Sequence, residues 1–542
     1  MLNLPLHDMS PMEWPIAAFM IIILTFLAKG IYNVFFHPLA NIPGPFLARA
    51  SQIPSWYHAH RGDRHIWVWQ QFQIYGDKVR AEPNTVLFNS PEAYADIYSQ
   101  KSNVRRNNLY KVMQFNGFED ATITTLDVAE HARRRKILSL AFTENSVRAA
   151  SSFVIQHLDR WNQLLMEEID SGWSPAVDIS EKLDGLIFDI MGDLSFGKSF
   201  NVKEPGVNPL KTVQHSISDY LKLHHSMARS PFRDYIVWLR PRGLDKLFAL
   251  LTPPNMQQYE RFIHDSVTER ISLHQEQAEK LEAERRQDMF YFLCEARNPD
   301  TGLPAYNEAE LRAEANLLIV AGSDTTSVNL SGLFFYLTGD DQRYQKLVRE
   351  IRTELKSIDD IVYGPKLSSL VYLRACIEEG MRLAPAIPGE LPREVLPGGL
   401  EIQGEYFPPG TNVGTPNWAL SRNQEVYGDP ELFRPERWIV DEATGVTEED
   451  VNRARSSSHP FAGGPGRCLG QNFAMMEMMI IVALTLHRLD VRREPGSTLG
   501  SGGPEYGWGA RDRKQFQLFD AYISIRHGPM LQFRKRQQSD YA

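Results

Sequence analysis

The segment that most restricts the fold of this chain runs from Phe461 to Gly470 and reads FAGGPGRCLG. Its glycines cost backbone entropy inside a helix or strand, and its proline lacks a backbone N–H donor, so the segment is predicted to be a loop. The apolar stretch from Gln471 to Leu486 follows at once and is predicted to be a helix. Cys468 therefore lies next to a helix N-terminus, where the positive end of the helix dipole favours a thiolate. Such a loop is suited to present a sulfur ligand to a metal.

The residues alone leave four interpretations of Cys468 open. It can be a small buried apolar residue in a glycine-rich turn. It can be a catalytic thiol, but this needs a histidine partner such as His459 or His487, and the sequence places neither of them in space. Structural zinc would need a cluster of cysteine and histidine ligands, and no second cysteine lies nearby. The fourth interpretation is a single axial thiolate on haem iron.

The whole loop resembles the haem-ligand loop of the cytochrome P-450 monooxygenases. As in that family, Phe461 lies seven residues before the cysteine, Gly464 lies four before it, and a glycine lies two after it. The resemblance implies that Cys468 binds the haem iron, that Phe461 packs beside the sulfur, and that the glycines let backbone N–H groups approach it. The family usually has a basic residue two positions before the cysteine. This chain has Gly466 there, so Arg467 is the basic residue that the loop offers to the cofactor.

A second motif lies inside a long predicted helix. Asn307 followed by Glu310 predicts an N-terminal cap, and the helix is predicted to run from Glu308 to Leu337. Its apolar run gives way to AGSDTT at residues 321–326, where glycine and short polar side chains disfavour a helix. The residues leave two interpretations open. One is a helix end with a fresh cap, and the other is a bulged helix whose opened turn exposes a polar pocket.

The AGSDTT segment matches the oxygen-activation motif of the cytochrome P-450 family. The resemblance implies that Gly322 leaves room for dioxygen above the iron. It also implies that Asp324 helps to relay protons from solvent and that Thr325 supplies a hydrogen bond during oxygen activation. Asp324 and Thr325 are therefore predicted to be the catalytic pair.

Two further motifs predict a buried ion network. Glu379 and Arg382 are three residues apart in a predicted helix, and on an exposed face such a pair would contribute only about 0–1 kcal/mol. They match the ExxR motif of the family, and the segment FRPERW matches the motif that supplies the third partner. The resemblance implies that Arg437 joins Glu379 and Arg382 in a buried structural network. Trp438 stands where phenylalanine is commoner in the family.

Basic residues elsewhere are predicted to contact the haem propionates. The run EHARRRK opens a helical stretch, and a spacing of four places His131 and Arg135 on one helix face. On the residues alone this is most simply a solvated basic face. The resemblance implies instead that His131 and Arg135 donate to the propionates, and it assigns a further propionate contact to Arg393. It also implies that residues 386–390 line the substrate cavity.

Length and composition indicate one large folded domain. The chain has 542 residues, and no glycine-, serine- or proline-rich linker separates two periodic halves. Its hydrophobic fraction of 43% and charged fraction of 23% are ordinary for a globular protein. A net charge of −9 gives no reason to expect nucleic acid as a partner. The three cysteines make no disulfide framework, so the domain is predicted to face a reducing compartment.

The start of the chain carries a predicted membrane anchor. Residues 16–36 are mostly apolar and, as a helix, would reach about 30 Å, which is one bilayer core. Acidic residues precede this stretch and basic residues follow it, so the positive-inside tendency places the rest of the chain on the cytosolic side. A cleaved signal peptide is the alternative, but its basic n-region and small-residue cleavage site are missing. We predict a short lumenal segment (1–15), a transmembrane anchor (16–36), an extended proline-rich hinge (37–46) and a catalytic domain (47–542).

The motifs together resemble microsomal cytochrome P-450 enzymes of fungal type, from the anchor to the C-terminal hairpin. The resemblance implies a mainly α fold with a smaller β region, the helix-rich triangular prism of the family. It implies haem b as the cofactor and a location in the endoplasmic reticulum membrane. Because no flavin or nicotinamide motif is visible, electrons are expected from NADPH through a separate NADPH–cytochrome P-450 reductase, with cytochrome b5 as a further partner.

The implied activity is monooxygenation of a lipophilic small molecule by hydroxylation, epoxidation or repeated oxidation. The implied setting is fungal secondary metabolism, such as terpenoid, polyketide or alkaloid biosynthesis. Two other classes of function stay open. A haem-thiolate isomerase, dehydratase or peroxygenase would keep Cys468 but has less use for Asp324 and Thr325. A haem-binding sensor or carrier would keep the haem pocket and would not need the oxygen motif.

Overall fold

The fold is described from a computed structural model for residues 13–114, 119–281, 285–298 and 301–536. Most of the described elements are helices. The N-terminal helices are α1 (Glu13–Phe35), α2 (Phe46–Ala50), α3 (Ile53–Arg61), α4 (Arg64–Tyr75), α5 (Pro91–Tyr98), α6 (Leu109–Val112) and α7 (Val128–Leu138). The middle helices are α8 (Glu144–Glu167), α9 (Ile179–Phe196), α10 (Lys211–Arg229), α11 (Arg233–Leu239), α12 (Leu244–Leu251), α13 (Pro254–Gln277), α14 (Met289–Glu295) and α15 (Glu308–Leu337). The C-terminal helices are α16 (Asp341–Glu354), α17 (Pro365–Ser368), α18 (Val371–Leu383), α19 (Asn417–Leu420), α20 (Gln424–Tyr427), α21 (Glu448–Ser456) and α22 (Gln471–Arg488).

The strands are short and form small sheets. They are β1 (Lys78–Glu82), β2 (Thr85–Phe88), β3 (Val104–Arg106), β4 (Val177–Asp178), β5 (Arg393–Val395), β6 (Leu400–Ile402), β7 (Glu405–Phe407), β8 (Asn412–Gly414), β9 (Leu489–Arg493), β10 (Phe519–Ala521), β11 (Ile523–Ile525) and β12 (Met530–Lys535). One sheet has the order β1-β2-β8-β5-β3, with β2 and β8 parallel and the other neighbours antiparallel. A second has the order β4-β12-β9, and β6-β7 and β10-β11 are hairpins. The predicted fold class, mainly α with a smaller β region, is confirmed.

Helix α1 coincides with the predicted membrane anchor. Its part Pro15–Phe35 has a mean hydropathy of 2.0 and is not buried against the rest of the protein, and a helix of this length can cross a bilayer core. The last turn of α1 is fixed to the domain, because Asn33 Nδ2 donates to the Ala50 carbonyl at 2.9 Å. The anchor therefore leaves the domain at a defined point. Residues 1–12 of the predicted lumenal segment lie outside the described residues.

The predicted proline-rich hinge at residues 37–46 is extended only at its end, where the backbone of Pro45 has φ −57° and ψ 133°. Its first half forms turns, and Leu39 within it is buried. The backbone N–H of Arg80 in β1 donates to the Pro43 carbonyl at 2.7 Å. Gly44 lies so close to this strand that a Cβ atom there would be 2.4 Å from the Arg80 carbonyl oxygen. The prolines do end the helix, but the apolar residue between them is buried, so the segment packs as part of the domain.

Helix α15 is the long element along which the site is built. Its bounds agree with the prediction, and the predicted capping box is present, with Asn307 and Glu310 each accepting a 3.0 Å bond from the other's backbone N–H. The helix packs against α9 and against α18. Its second half is buried on all sides, as expected for a helix at the centre of a large domain.

The AGSDTT segment is α-helical without interruption, so the predicted opened turn is wrong. Thr325 Oγ1 donates to the Ala321 carbonyl, four residues earlier, at 2.7 Å. This bond satisfies the hydroxyl inside the helix, and it removes the competition with the backbone that made the segment look like a break. The structure also excludes the alternative of a helix end at this point, because α15 continues to Leu337.

Candidate active site

The cysteine loop depends on its glycines for its shape. Residues Gly464–Gly466 form a single 3₁₀ turn, and the backbone N–H of Cys468 donates to the Phe461 carbonyl at 2.7 Å. Gly464 has a φ of +55°, and a Cβ atom there would be 1.8 Å from the carbonyl oxygen of Tyr98. No side chain fits at this position. The loop thus carries the sulfur to the start of α22 by a path that only glycine permits.

Cys468 lies three residues before the first residue of α22, and its side chain is accessible. Although the sulfur is accessible, it lies deep among protein atoms, and the loss of water around it raises the pKa of the Cys468 thiol from its ordinary value of 9.0. The backbone N–H of Gly470 and the charges of Arg135 and Arg467 act in the opposite direction. A thiolate at this position would therefore be stabilised by one hydrogen bond and two cations.

A cluster of basic side chains, which we call the cation cluster, lies next to the loop and consists of Arg106, His131, Arg135 and Arg393. Three of its members line a cavity together with the loop, and no acidic residue lies among the described lining residues of that cavity. Burial lowers the pKa of Arg106 to about 10, with Arg393 and Arg135 adding to the effect. Burial and the same three arginines lower the pKa of His131 to about 3. His131 Nε2 is buried without a hydrogen-bond partner among the described residues.

The glycine at position 466, where the family usually has a basic residue, has a steric explanation. A Cβ atom at Gly466 would lie 2.7 Å from Nη2 of Arg393. The Arg393 guanidinium therefore takes the space where a side chain from the loop would begin. It is held there because its Nη1 donates to the hydroxyl of Tyr110 at 3.1 Å and to the carbonyl of Leu391 at 3.2 Å.

Arg467 is not brought into the cation cluster. Its Nε donates to Oε1 of Gln471 at 2.9 Å, and the side chain is exposed in an outer groove that Arg374 and Glu378 also line. Of the basic residues predicted to bind the cofactor, the structure thus groups His131, Arg135 and Arg393 and leaves Arg467 on the opposite side of the loop.

The residues present fit a haem group. An accessible sulfur at a helix N-terminus is suited to bind the iron, and the adjacent cation cluster has no acidic residue in its described cavity to neutralise it. The two carboxylates of a haem would supply the missing negative charge and accept the free N–H of His131. Cys468 would hold the iron, and the cation cluster would hold the propionates.

Glu379, Arg382 and Arg437 form a fully connected ion network in the protein interior. Arg382 donates from Nε and Nη2 to the two carboxylate oxygens of Glu379, each at 2.8 Å, and Arg437 Nε donates to Oε1 at 2.9 Å. Trp438 Nε1 donates to Oε2 at 3.0 Å. Burial raises the pKa of Glu379, but the charges and hydrogen bonds of the arginines outweigh it and hold the pKa at about 2. Glu379 is therefore ionised inside the protein.

The indole of Trp438 adds a hydrogen bond that phenylalanine, the commoner residue of the family, cannot make. Trp438→Phe is expected to lower the free energy of unfolding by about 1.5–3 kcal/mol, because it removes a donor from a buried carboxylate. The measurement is denaturant unfolding at neutral pH. Trp508→Phe is the matched control, since Trp508 is half exposed and should shift the unfolding free energy by less than about 0.5 kcal/mol. Equal effects of the two variants would show that the indole N–H contributes nothing to the network.

Asp324 lies on α15 in an environment that suits proton transfer. Burial and the charge of Asp184 raise the pKa of Asp324 to about 7, while Arg526 opposes the shift. A group with this pKa gains and loses a proton readily at neutral pH. Thr325 is its neighbour, with its hydroxyl directed to the Ala321 carbonyl.

Gly322 also has a packing role. A Cβ atom at Gly322 would lie 2.6 Å from Cε of Met191, which belongs to α9. The absence of a side chain therefore allows the close packing of α15 on α9. That Gly322 also leaves room for dioxygen stays a prediction.

A cavity with mainly apolar walls lies above this part of α15. Its apolar lining includes Met113, Ile123, Leu221, Leu317, Val320 and Ile523. Tyr110 also lines it, and this tyrosine accepts the hydrogen bond from Arg393, so the cavity adjoins the cation cluster. A lipophilic molecule is the natural occupant of such a cavity.

Glu390, which was predicted to line the substrate cavity, does not do so. Its carboxylate accepts from Arg64 Nη1 at 2.7 Å and from Arg229 Nη1 at 2.5 Å, and all three side chains are buried. The resemblance placed residues 386–390 by position in the chain, whereas the side chain of Glu390 is drawn away by two buried cations. This ion cluster joins α4 to the end of α10.

Sequence reasoning missed two charged residues of the site. Arg106 belongs to the cation cluster. The sequence feature that could have revealed it is the pair of arginines that ends the short strand β3. Glu477 is fully buried in α22 and faces Thr326 of α15, and burial raises its pKa to about 8. Its signal was a single carboxylate inside the apolar run MMEMMIIVAL.

Comparisons with known proteins identify the family of the chain. The family described as "Cytochrome P450" matches residues 41–500. "Cytochrome P450 monooxygenase fscF" of Fusarium equiseti is 34% identical over 537 residues, covering 97% of each chain. "Cytochrome P450 monooxygenase apf7" of Gibberella fujikuroi is 33% identical over 550 residues, covering 98% of this chain and 99% of the relative. "Cytochrome P450 monooxygenase AKT7" of Alternaria alternata is 32% identical over 515 residues, covering 94% and 95%. The chain therefore belongs to the cytochrome P450 family of haem-thiolate proteins, and it is an oxidoreductase of the monooxygenase type.

Proposed function

We propose that this protein inserts one oxygen atom of O₂ into a lipophilic small molecule of fungal secondary metabolism. The observation that carries the proposal is the continuity of the three parts of the site. Arg135 of the cation cluster lies in electrostatic range of Cys468, and Arg393 of the same cluster is bonded to Tyr110 in the wall of the apolar cavity. The carbonyl of Ala321 accepts a hydrogen bond from the Thr325 hydroxyl, and Ala321 also lines that cavity.

In this proposal Cys468 would bind the haem iron, and the cation cluster would hold the propionates. A bound haem supplies the oxygen activation, which a thiolate ligand promotes by favouring O–O cleavage. Phe461 positions Cys468 through its carbonyl, and Gly464 lets the loop pass the backbone of Tyr98. The apolar walls of the cavity exclude water from the reacting part of the substrate.

Asp324 and Thr325 are proposed to deliver protons. Asp324, with its pKa of about 7, takes up a proton from solvent and releases it towards the cavity at neutral pH. The Thr325 hydroxyl is bound to the Ala321 carbonyl in this structure, and a rotation about χ1 would turn it towards the cavity. Glu477 gives a second carboxyl group that can carry a proton at neutral pH, because its pKa is about 8.

The electron donor is proposed to be NADPH–cytochrome P450 reductase, with cytochrome b5 as a second donor. The family implies a redox partner, and the outer groove behind the cysteine loop offers a surface for one. Its charged residues in the described chain are Arg374, Glu378, Arg455 and Arg467. Three cations against one carboxylate favour an acidic partner surface.

The location is proposed to be the endoplasmic reticulum membrane, with the domain on the cytosolic side. Helix α1 supports a single-pass anchor, and a second apolar surface supports contact of the domain with the membrane. No residue of α12 is buried, and large apolar side chains on and before α11 and α12 are exposed. They are Phe232, Tyr235, Trp238, Leu247, Leu250 and Leu251. Exposed apolar surface of this size marks an interaction site.

The proposed reaction is tested by incubating membranes that contain the protein with NADPH, the reductase and candidate lipophilic intermediates. Mass spectrometry is expected to find a product that is heavier by one or more oxygen atoms, and the oxygen should come from labelled O₂. Turnover without NADPH would favour the haem-thiolate isomerase, dehydratase or peroxygenase instead. Haem binding with no conversion of any kind would favour a sensor or carrier.

The role of Thr325 makes a separate prediction. Thr325→Ala is expected to lower product formed per NADPH oxidised by on the order of 10²-fold, because a hydrogen-bond donor at the reacting centre is lost. The measurement is the ratio of product and of hydrogen peroxide to NADPH in the reconstituted system. Thr338→Ala is the matched control, since its hydroxyl makes the same bond to a carbonyl four residues earlier, at the far end of α15. Unchanged coupling in Thr325→Ala would rule out the proton-delivery scheme.

A further inference from the structure

Asn316 is a polar residue on the face of α15 that is otherwise apolar where it lines the substrate cavity. Leu317 and Val320 line the same cavity. Asn316 is only 5% exposed, and its Oδ1 accepts a hydrogen bond from the hydroxyl of Tyr259 at 2.6 Å. Tyr259, on α13, is completely buried, so the amide has one fixed orientation. Its Nδ2 group has no partner among the described residues.

Two hydroxyl groups that line the cavity are already engaged. The Thr124 hydroxyl donates to Oδ1 of Asp120 at 3.1 Å, and the Tyr110 hydroxyl accepts from Arg393 at 3.1 Å. The amide of Asn316 is different, because its acceptor is used and its donors are not. Asn316 lines the cavity, and a polar donor left there without an acceptor is unfavourable, a cost that a leucine at this position would avoid.

We propose that Asn316 selects substrates that carry an oxygen acceptor, such as a ketone or lactone carbonyl, on a lipophilic skeleton. The inference rests on the proposed monooxygenase function and names the chemical class of substrate for the same cavity. The carbonyl oxygen accepts from Nδ2 of Asn316, and the skeleton lies along the apolar side chains of Leu317 and Val320. Asn316 is a specificity-determining residue in this scheme and takes no part in the chemistry.

The test uses matched ligands that differ only in the carbonyl group. The probes are 2-decalone with decalin, and cyclododecanone with cyclododecane, and their dissociation constants are measured by the change in the haem absorption spectrum of the ferric holoenzyme. Asn316→Leu is expected to weaken binding of the ketones by about tenfold relative to the hydrocarbons. Asn316→Asp is the second variant, because it keeps the size and the acceptor for Tyr259 but cannot donate when ionised, and it is expected to weaken the ketones at least as much.

Two results would overturn the inference. One is a wild-type affinity for the ketones in both variants, and the other is an equal loss for ketones and hydrocarbons, which would make Asn316 a packing residue. Both are distinct from failure of the proposed function. If the proposed function fails, the wild-type holoenzyme lacks NADPH-dependent oxygenation of any lipophilic compound, whatever the ketone preference of its cavity.

Discussion

Glu379→Ala is expected to lower the free energy of unfolding by about 3–5 kcal/mol and to yield protein without bound haem. Glu379 neutralises two buried arginines, Arg382 and Arg437. Its loss leaves Arg382 without a carboxylate partner and leaves Arg437 with only the partly exposed Asp429, which lies 3.2 Å from its Nη2. The same carboxylate also accepts hydrogen bonds from the backbone N–H of Arg434 and from the indole N–H of Trp438. Without Glu379, the segment 434–438 loses these bonds to α18. The measurements are denaturant unfolding and haem content per polypeptide.

Glu378→Ala is the matched control for this prediction. Glu378 is the preceding residue of the same helix and lines the outer groove, so its removal should change the free energy of unfolding by less than about 0.5 kcal/mol. A Glu379→Ala protein that keeps wild-type haem content and stability would contradict the structural role of the network.

The same network predicts a pH dependence. The pKa of Glu379 falls from its ordinary value of 4.5 to about 2 in the folded protein, so its carboxylate stabilises the fold above pH 4.5. This stabilisation is lost as the pH falls from about 4.5 towards 2. The difference in unfolding free energy between wild type and Glu379→Ala should therefore be constant near neutral pH and shrink in that acidic window.

Cys468→Ser is expected to abolish monooxygenase turnover while the polypeptide still folds. The side chain of Cys468 is accessible, so the exchange of sulfur for oxygen removes little buried apolar surface. It removes the thiolate, however, and with it the ligand that promotes O–O cleavage. The measurements are product formation with NADPH and the reductase, and the far-ultraviolet circular dichroism of the variant.

Cys294→Ser controls for the loss of any thiol. Burial raises the pKa of Cys294 to about 12, so this thiol stays protonated and cannot serve as a thiolate ligand. The control variant should keep wild-type turnover. If Cys468→Ser kept it too, the assignment of the axial ligand would be lost.

Local sequence chemistry was sufficient for the elements that carry the site. The bounds of α15 followed from the Asn307–Glu310 capping box, and the loop before α22 followed from its glycines and proline. The pairing of Glu379 with Arg382 followed from a spacing of three residues on one helix. In each case the interaction that determines the structure lies within one turn of the chain.

The features that sequence reasoning got wrong or missed depend on contacts between distant segments. Gly322 makes room for Met191 of α9, and Arg393 takes the space beside Gly466. The end of the hinge is hydrogen-bonded to β1 through the Pro43 carbonyl, and the Glu390 side chain is drawn away from the cavity by cations of α4 and α10. None of these partners lies near in sequence, so residue type and spacing carried no information about them.

The absorption spectrum of the ferrous wild-type protein saturated with carbon monoxide tests the central claim most directly. Coordination of the haem iron by the Cys468 thiolate predicts the strongly red-shifted Soret band that distinguishes thiolate from histidine ligation, and Cys468→Ser should lack it. A freshly purified wild-type protein whose Soret band lies at the unshifted position would contradict the account.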